Sequence, residues 1–412
     1  MSETSQLDIV DCHAHIFPPL SGACGMSDVE THLLYQQRAM HTHGNQPVRR
    51  LRDHEIIAAR DLWDSDDPSE SGRATDVNFR VGRMGRFEWD KDGEDYYVQF
   101  LPPSLQDMHC APEAMITQMD YAGIRTAVLQ NDHIYGDLAE YFAAAIARYP
   151  DRFIGLANVD EAFAYTNGQL AVLHRSINEL GMSGLYYTLS GFFHNGYGEY
   201  FSEEAFYPFW DAVAALQIPV FWVFLGDSPV GGFKEEMGLF RKWLERYPHI
   251  PSVLVHGLPT ALFADAQDRI IIPDYMLEIL RDYPVYSEVL YPIGWGGKSE
   301  YPYTRAQNHI RALYQAGTPI VGVCASGILI RALAAVIGKP DPIRGQLVKA
   351  YLVLNEGITP SEELKEAIGS FVKQRLSAHE YPREIEFVDE MPLTTTGKVI
   401  RRIFREKAEA EA

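Results

Sequence analysis

The chain has 412 residues, of which 46% are hydrophobic and 12% aromatic, enough for one large packed core and a smaller second one. This composition excludes a disordered or fibrous protein. Lys and Arg number 36 against 56 Asp and Glu, and the net charge of −20 would repel a phosphate backbone, so we expect no nucleic-acid partner.

Short apolar or β-branched runs recur along the first 325 residues, and amphipathic segments lie between them. The runs predict strands over residues 7–12, 124–130, 153–159, 183–188, 219–225, 252–256, 284–289 and 319–324. The segments predict helices over residues 138–149, 169–180, 205–216 and 233–247. Apolar strands alternating with helices predict an α/β fold, a (β/α)₈ TIM barrel over residues 1–325. An open doubly wound sheet is the alternative, although no G-x-G-x-x-G motif follows the first strand.

The connection between the first two strands is far longer than a simple crossover. It spans roughly residues 17–115 and contains acidic, Gly-rich and aromatic patches. The local hydrophobic residues before Pro102-Pro103 predict that it is folded. We interpret it as a cap over the mouth of the barrel.

The composition changes near Val336, which predicts a second, small α+β domain over residues 336–412. We predict strands at residues 347–354 and 384–388 in this domain. Between them, Thr359 as N-cap and Pro360 at the first helical position predict a helix.

The first residues lack the basic and then apolar pattern of a secretory signal, so we expect a cytoplasmic location. The apolar stretch 318–338 contains Arg331 and predicts a buried strand followed by a helix, not a membrane span, so no membrane partner is expected. The four cysteines have no C-x-x-C spacing and predict neither a disulfide framework nor a cysteine zinc site.

Histidines stand at the ends of two predicted strands. His13 and His15 end the first strand on one face, and His256 ends the sixth strand, directly before Gly257. In a barrel these strand ends open onto the active-site mouth. The pattern predicts one divalent metal, zinc from its imidazole ligands, with His256 as a third ligand or a general acid/base. The alternative is a set of hydrogen-bonded core histidines.

The opening VDCHAHIFPP and the later VLVHG resemble the amidohydrolase-related family of metal-dependent (β/α)₈ enzymes, over roughly residues 7–325. The family includes hydrolases and decarboxylases of the aminocarboxymuconate semialdehyde and hydroxybenzoate types. The resemblance implies metal ligands at His13 and His15 and a catalytic histidine near the metal at His256. It implies hydrolysis or decarboxylation of a small carboxylated or aromatic organic substrate, and a homodimer is compatible with it.

The sequence departs from this family at two strand ends. Residues 219–224 contain no ligand histidine, and residues 320–326 lack the usual aspartate of the eighth strand, which predicts weaker metal binding and turnover. Four residues near strand ends are candidates to replace the ligands or to hold them in place: His133, Glu161, Asp227 and Glu288. The alternative function is that of a catalytically impaired barrel.

The end of the chain carries a second resemblance. The segments GKPDPIRG, YPREI and PLTTTGK resemble the C-terminal lid domain of AMP-forming acyl-CoA synthetases. In that family the lysine that matches Lys398 serves adenylation, but nothing earlier in the sequence resembles the large nucleotide-binding domain. The resemblance therefore implies an inactive Lys398, in a fusion product whose lid is vestigial or an accessory module of an acyl-CoA synthetase.

Overall fold

A computed structural model describes most of the chain. The described residues are 9–42, 46–57, 62–64, 74–224, 231–263, 265, 269–289, 304–315, 317, 320–323, 334–341, 345–352, 360–373, 382–388, 392 and 401–411. The chain divides into two compact units, residues 1–328 and residues 329–412. The predicted site residues Asp227 and Lys398 lie outside the described residues.

The described strands and helices give a mixed α/β protein. The strands are β1 (Ile9–Ala14), β2 (Val48–Arg50), β3 (Ile56–Ile57), β4 (Arg80–Val81), β5 (Arg86–Lys91), β6 (Glu94–Gln99), β7 (Ile124–Leu129), β8 (Phe153–Gly155), β9 (Leu185–Thr188), β10 (Val220–Val223), β11 (Ser252–Leu254), β12 (Val285–Val289), β13 (Ile320–Val323), β14 (Ala334–Asp341), β15 (Gly345–Leu352) and β16 (Glu384–Phe387). The helices are α1 (Val29–Thr42), α2 (Pro112–Ala122), α3 (Ala139–Arg148), α4 (Asn167–Asn178), α5 (Tyr207–Leu216), α6 (Phe233–Arg246), α7 (Thr260–Phe263), α8 (Asp274–Asp282), α9 (Thr304–Gln315), α10 (Glu362–Lys373) and α11 (Arg401–Ala410). None of the helices described here is long and apolar enough to cross a membrane.

Parallel strands form the framework of the first unit. One sheet has the order β1-β7-β8 and another the order β9-β10-β11-β12-β13. A parallel bridge between Ala157 and Leu185 joins β8 to β9, with Tyr186 N–H donating to the Ala157 carbonyl at 2.7 Å. β1 also lies beside β13. All eight predicted strands overlap these observed strands.

Apolar side chains cover both faces of these strands. Toward the helices, Trp210, Trp222 and Trp243 meet with ring centroids 4.9–5.2 Å apart and belong to the main core. On the other face, successive strands contribute a small buried cluster of its own, formed by Val128, Leu156, Tyr186, Val223 and Val255. Burial on both faces explains why these strands are nearly continuous apolar runs in the sequence.

The segment between β1 and β7 has its own secondary structure. It contains α1 and an antiparallel sheet with the order β3-β2-β6-β5-β4. Its two ends are tied together, because Phe17 and Cys110 exchange backbone hydrogen bonds of 2.9 and 3.0 Å. The segment predicted to be folded is therefore folded in its described part.

The second unit has a three-stranded sheet in which β15 pairs antiparallel with β14 and parallel with β16. Tyr351 of β15 stacks on Phe404 of α11, with ring centroids 4.4 Å apart. Lys349 is buried and lies 2.6 Å from Glu411 and 2.9 Å from Glu386. These contacts hold α11 against the sheet.

Two local expectations in this part of the sequence are wrong. β14 begins at Ala334, so the helix predicted toward the end of the stretch 318–338 is a strand over its last residues. The predicted N-cap is also two residues too early. Ser361 Oγ accepts the Leu364 N–H at 3.1 Å, and α10 begins at Glu362, because this hydroxyl lies within reach of the free helical N–H groups.

A glycine comparison tests how tightly the segment after β1 packs against the segment after β7. Gly25 has φ 84°, and a Cβ there would overlap the Asp137 carbonyl oxygen, whereas Gly93 has φ 78° and open space around it. Gly93→Ala should lower the free energy of unfolding by about 1–2 kcal/mol through left-handed strain alone. Gly25→Ala should lower it by clearly more. Equal losses in urea titrations would contradict this packing.

Candidate active site at the carboxyl ends of the parallel strands

The two histidines at the end of β1 meet through their rings. His13 and His15 are separated by one residue, so a strand directs both toward the same face. Their Nε2 atoms lie 2.9 Å apart, and the ring planes are nearly perpendicular. His13 is 1% exposed, and His15 is half-buried. The structure therefore brings the two predicted ligands together.

Each of these rings is held through its Nδ1 atom. His15 Nδ1 lies 2.8 Å from the Gln130 carbonyl oxygen, and His13 Nδ1 lies 3.0 Å from Glu288 Oε2. A carbonyl oxygen only accepts hydrogen bonds, so His15 Nδ1 carries the proton, and an ionised Glu288 requires the same of His13. Both Nε2 atoms then have lone pairs that face each other.

The carboxylate of Glu288 connects four strand ends. Glu288 lies on β12 and is 0% exposed. Its Oε2 also accepts the His256 N–H at 3.0 Å, and its Oε1 accepts Gln130 Nε2 at 2.6 Å. The Gln130 amide in turn donates to the Cys12 carbonyl at 2.9 Å. One side chain thus fixes residues that lie on or directly after β1, β7 and β11.

His256 occupies a constrained turn after β11. Its φ is 65°, and Gly257 follows with φ 76°. A Cβ at position 257 would overlap the Glu288 carbonyl oxygen, which explains the glycine in the VLVHG motif. Position 256 is exposed, but burial of the imidazole lowers the pKa of His256 to about 3, and the ring centroid lies 5.3 Å from that of His13. The third predicted site histidine therefore borders the same cluster.

Burial sets the charges of the cluster. It lowers the pKa of both His13 and His15 to about 3 and raises the pKa of Glu288 to about 7. The two imidazoles are therefore neutral at physiological pH. Neutral imidazoles are good ligands and hydrogen-bond acceptors and poor proton donors.

The structure places two of the other candidates elsewhere. His133, after β7, and Glu161, after β8, contact each other through Nε2 and Oε2 at 2.7 Å. Glu288, the third, holds the His13 ring instead of pairing with them. Sequence analysis missed Gln130, although it ends a predicted strand and the same strand-end argument applies to it.

Within the residues that the structure describes, no group of three or more His, Cys, Asp or Glu side chains has the arrangement of a metal site. In that part of the chain, His13 and His15 form a convergent pair of imidazoles. The assignment of His13, His15 and His256 as a complete shell stays a prediction.

Two family models match parts of the chain. Residues 10–319 match the family model described as amidohydrolase, and residues 332–398 match the AMP-binding enzyme C-terminal domain. The chain is 57% identical over 72 residues to an acetyl-coenzyme A synthetase of Bacillus subtilis (18% of this chain, 13% of that protein). It is 55% identical over 78 residues to 4-hydroxybutyrate–CoA ligase 1 of Metallosphaera sedula (19% and 14%). The chain thus spans about an eighth of the length of these curated relatives.

Two solved structures are among those similar to parts of the chain. A Brucella canis acyl-CoA synthetase is 47% identical over 18% of this chain and 14% of its own, with a TM-score of 0.18. A probable 2-pyrone-4,6-dicarboxylic acid hydrolase of Acinetobacter baumannii is 15% identical and covers 79% of this chain and 86% of its own, with a TM-score of 0.42.

The variant Glu288→Gln, which replaces one carboxylate oxygen by an amide nitrogen, tests whether Glu288 connects the strand ends. Both carboxylate oxygens accept from N–H donors, so the amide nitrogen of Glu288→Gln must face a donor in either orientation. The free energy of unfolding should fall by about 1–3 kcal/mol in urea titrations. Glu203→Gln, at an exposed position, should change it by less than about 0.5 kcal/mol. Equal stability of the two variants would contradict the role.

Proposed function

The chain belongs to the amidohydrolase family, and on that basis we propose that it is a metal-dependent enzyme that hydrolyses or decarboxylates a small carboxylated or aromatic organic compound. The observation that carries this proposal is the 2.9 Å approach of the His13 and His15 Nε2 atoms at the carboxyl end of β1. Catalytic groups of parallel α/β barrels lie at this end of the strands.

We also propose that the eight parallel strands close into a (β/α)₈ barrel and that residues 17–115 cap its mouth. The position of β1 beside β13 and the separate apolar cluster of Val128, Leu156, Tyr186, Val223 and Val255 support closure. The cap is supported by α1, because His32 Nε2 lies 2.9 Å from the Ile134 carbonyl oxygen. Ile134 lies in the short helical turn after β7, at the same end as His13 and His15.

The donor set at His13 and His15 fits a divalent cation such as zinc. Imidazoles that ligate a metal usually donate their other ring N–H to a carboxylate or a carbonyl, as these two do to Glu288 and Gln130. Two facing lone pairs at 2.9 Å repel each other unless a proton lies between them or a cation lies beside them. His13 and His15 would hold that cation, and His256 borders it as a further donor.

A bound divalent cation supplies positive charge that polarises a carboxylate, carbonyl or phenol oxygen of the substrate. Glu288 keeps the His13 ring and the His256 turn in place through its three hydrogen bonds. His256 lies beside His13 and, as a neutral imidazole, is the group of this cluster that can accept a hydrogen bond or proton from substrate or water.

Two probes separate the proposed reactions. The full chain with one equivalent of zinc is incubated with the monophenyl ester of isophthalic acid for hydrolysis and with 2,6-dihydroxybenzoate for decarboxylation. We expect one of them to be converted in an NMR time course, and conversion to stop in the double variant His13→Ala/His15→Ala. No conversion of either compound would contradict the proposal.

Metal content tests the ligand assignment without any substrate. The same double variant, His13→Ala/His15→Ala, should lose bound zinc while keeping its circular dichroism spectrum, because ligands at barrel strand ends serve function more than stability. The matched control His174→Ala/His249→Ala removes two exposed histidines and should retain about one zinc per chain by elemental analysis. Zinc retained by both variants would place the metal elsewhere.

For the second unit we propose an accessory or vestigial role without adenylation activity of its own. A lysine such as Lys398 stabilises a reacting phosphate only when other groups position that phosphate beside it. The chain spans only 13–14% of the CoA ligases that this unit resembles.

The purified chain should therefore release no pyrophosphate from ATP in the presence of acetate or benzoate and CoA, and Lys398→Ala should change nothing. A chain that ends at Ile328 should convert the substrate of the first unit as the full chain does. Acid-dependent pyrophosphate release that disappears in Lys398→Ala would overturn this role.

A further inference from the structure

A second pair of ionisable groups lies at the same end of the strands. His133 Nε2 and Glu161 Oε2 are 2.7 Å apart, a distance typical of charge-assisted hydrogen bonds. Glu161 is fully buried, and its Oε1 accepts the Thr188 N–H at 3.1 Å. His133 is 9% exposed. The carboxylate is thus anchored in the protein, and the imidazole is the more exposed end of the pair.

The short helical turn of residues 189–195 is shaped around this carboxylate. Gly191 packs so closely on Glu161 that a Cβ at position 191 would overlap Oε2, the atom that faces His133. A side chain at this position would displace the carboxylate from the imidazole. The pair therefore depends on a glycine from a third strand end, after β9.

The groups around His133 are mostly acidic. Asp132, Asp137 and Asp160 act on it electrostatically, and the ring of Tyr35 from α1 lies against it with centroids 5.2 Å apart. The Tyr35 hydroxyl also lies 3.2 Å from His194 Nδ1, which is 3.3 Å from Asp160. Every carboxylate in this list favours a proton on His133.

These surroundings determine where the proton resides. Burial opposes the charge of His133, but attraction to Glu161 and their hydrogen bond outweigh it and raise its pKa to about 9. Burial also raises the pKa of Glu161, so the pair keeps one proton through neutral pH.

The pair lies at the same carboxyl end of the parallel strands as the histidine cluster. Asp132 acts electrostatically on His15 and His256 as well as on His133. It therefore lies within electrostatic range of both groups, which come from β1, β11 and β12 and from β7 and β8.

We propose that His133 is the catalytic acid of the first unit and that Glu161 is the positioning residue that keeps it protonated. This inference rests on the proposed function and adds the group that supplies the proton. The N–H bond at Nδ1, the nitrogen that does not face Glu161, breaks, and the proton forms an O–H or C–H bond with the leaving oxygen or the carbon that loses carbon dioxide. His133 remains bonded to Glu161 through Nε2–H and regains its proton from water.

The experiment uses the full zinc-loaded chain and whichever of the monophenyl isophthalate and 2,6-dihydroxybenzoate probes the wild type converts. Its kcat should fall above about pH 9. His133→Gln should lower kcat at pH 7 by about 10²–10⁴-fold, change KM by less than about threefold, and abolish this decline. Glu161→Gln should move the decline to lower pH, because the attraction that keeps His133 protonated is lost.

Matched variants separate catalysis from general damage. Gly191→Ala should move the decline as Glu161→Gln does, whereas Gly238→Ala, with open space around it, should leave it near pH 9. His194→Gln, at the neighbouring histidine, should also leave the pH of the decline in kcat unchanged.

Three outcomes would overturn the inference. Failure of the wild type to convert either probe overturns the proposed function and this inference with it. Conversion by the wild type with an unchanged kcat in His133→Gln overturns the inference alone. If His133→Gln does not fold, the inference is overturned when kcat of Glu161→Gln declines at the same pH as that of the wild type.

Discussion

The carboxylate of Glu288 is the group on which the geometry of the candidate site depends. A carboxylate without contact to water is costly unless donors surround it, and here the His13 ring, the Gln130 amide and the His256 backbone all approach it. Those donors come from three other strand ends. The buried N–H groups require an acceptor, and the buried carboxylate requires donors. The hydrogen bonds between them therefore fix the ends of β1, β7, β11 and β12 relative to one another. The approach of the two histidine Nε2 atoms follows from this arrangement.

Two polar groups at the strand ends differ in charge because their partners differ. His13 and His15 are buried beside a carboxylate that is itself only partly ionised near neutral pH, so burial dominates and they stay neutral. His133 is buried too, but it bonds to Glu161 among further acidic residues, and attraction outweighs burial. Neutral imidazoles can ligate a cation, whereas a protonated imidazole can donate a proton. In the proposed reaction, cation binding and proton donation are thus carried out by residues at different strand ends.

Much of the first unit could be predicted from the sequence because its signals are local. Strands buried on both faces are continuous apolar runs in the sequence. A histidine at the end of such a run can be recognised from the sequence alone, as for His13, His15 and His256. Glu288 was recognised as a candidate but not as the partner of His13, since the two are 275 residues apart and no local pattern connects them. The pairing of His133 with Glu161 was missed for the same reason. The start of α10 was misplaced because Thr359 and Ser361 are both good caps, and only backbone geometry selects between them.

X-ray absorption at the zinc edge of the full chain, loaded with one equivalent of zinc, tests the central claim most directly. The account predicts at least two imidazole nitrogens at about 2.0–2.1 Å from the zinc, reduced in His13→Ala/His15→Ala but not in His174→Ala/His249→Ala. A zinc surrounded by oxygen ligands alone, or one with the same imidazole shell in both double variants, would contradict it.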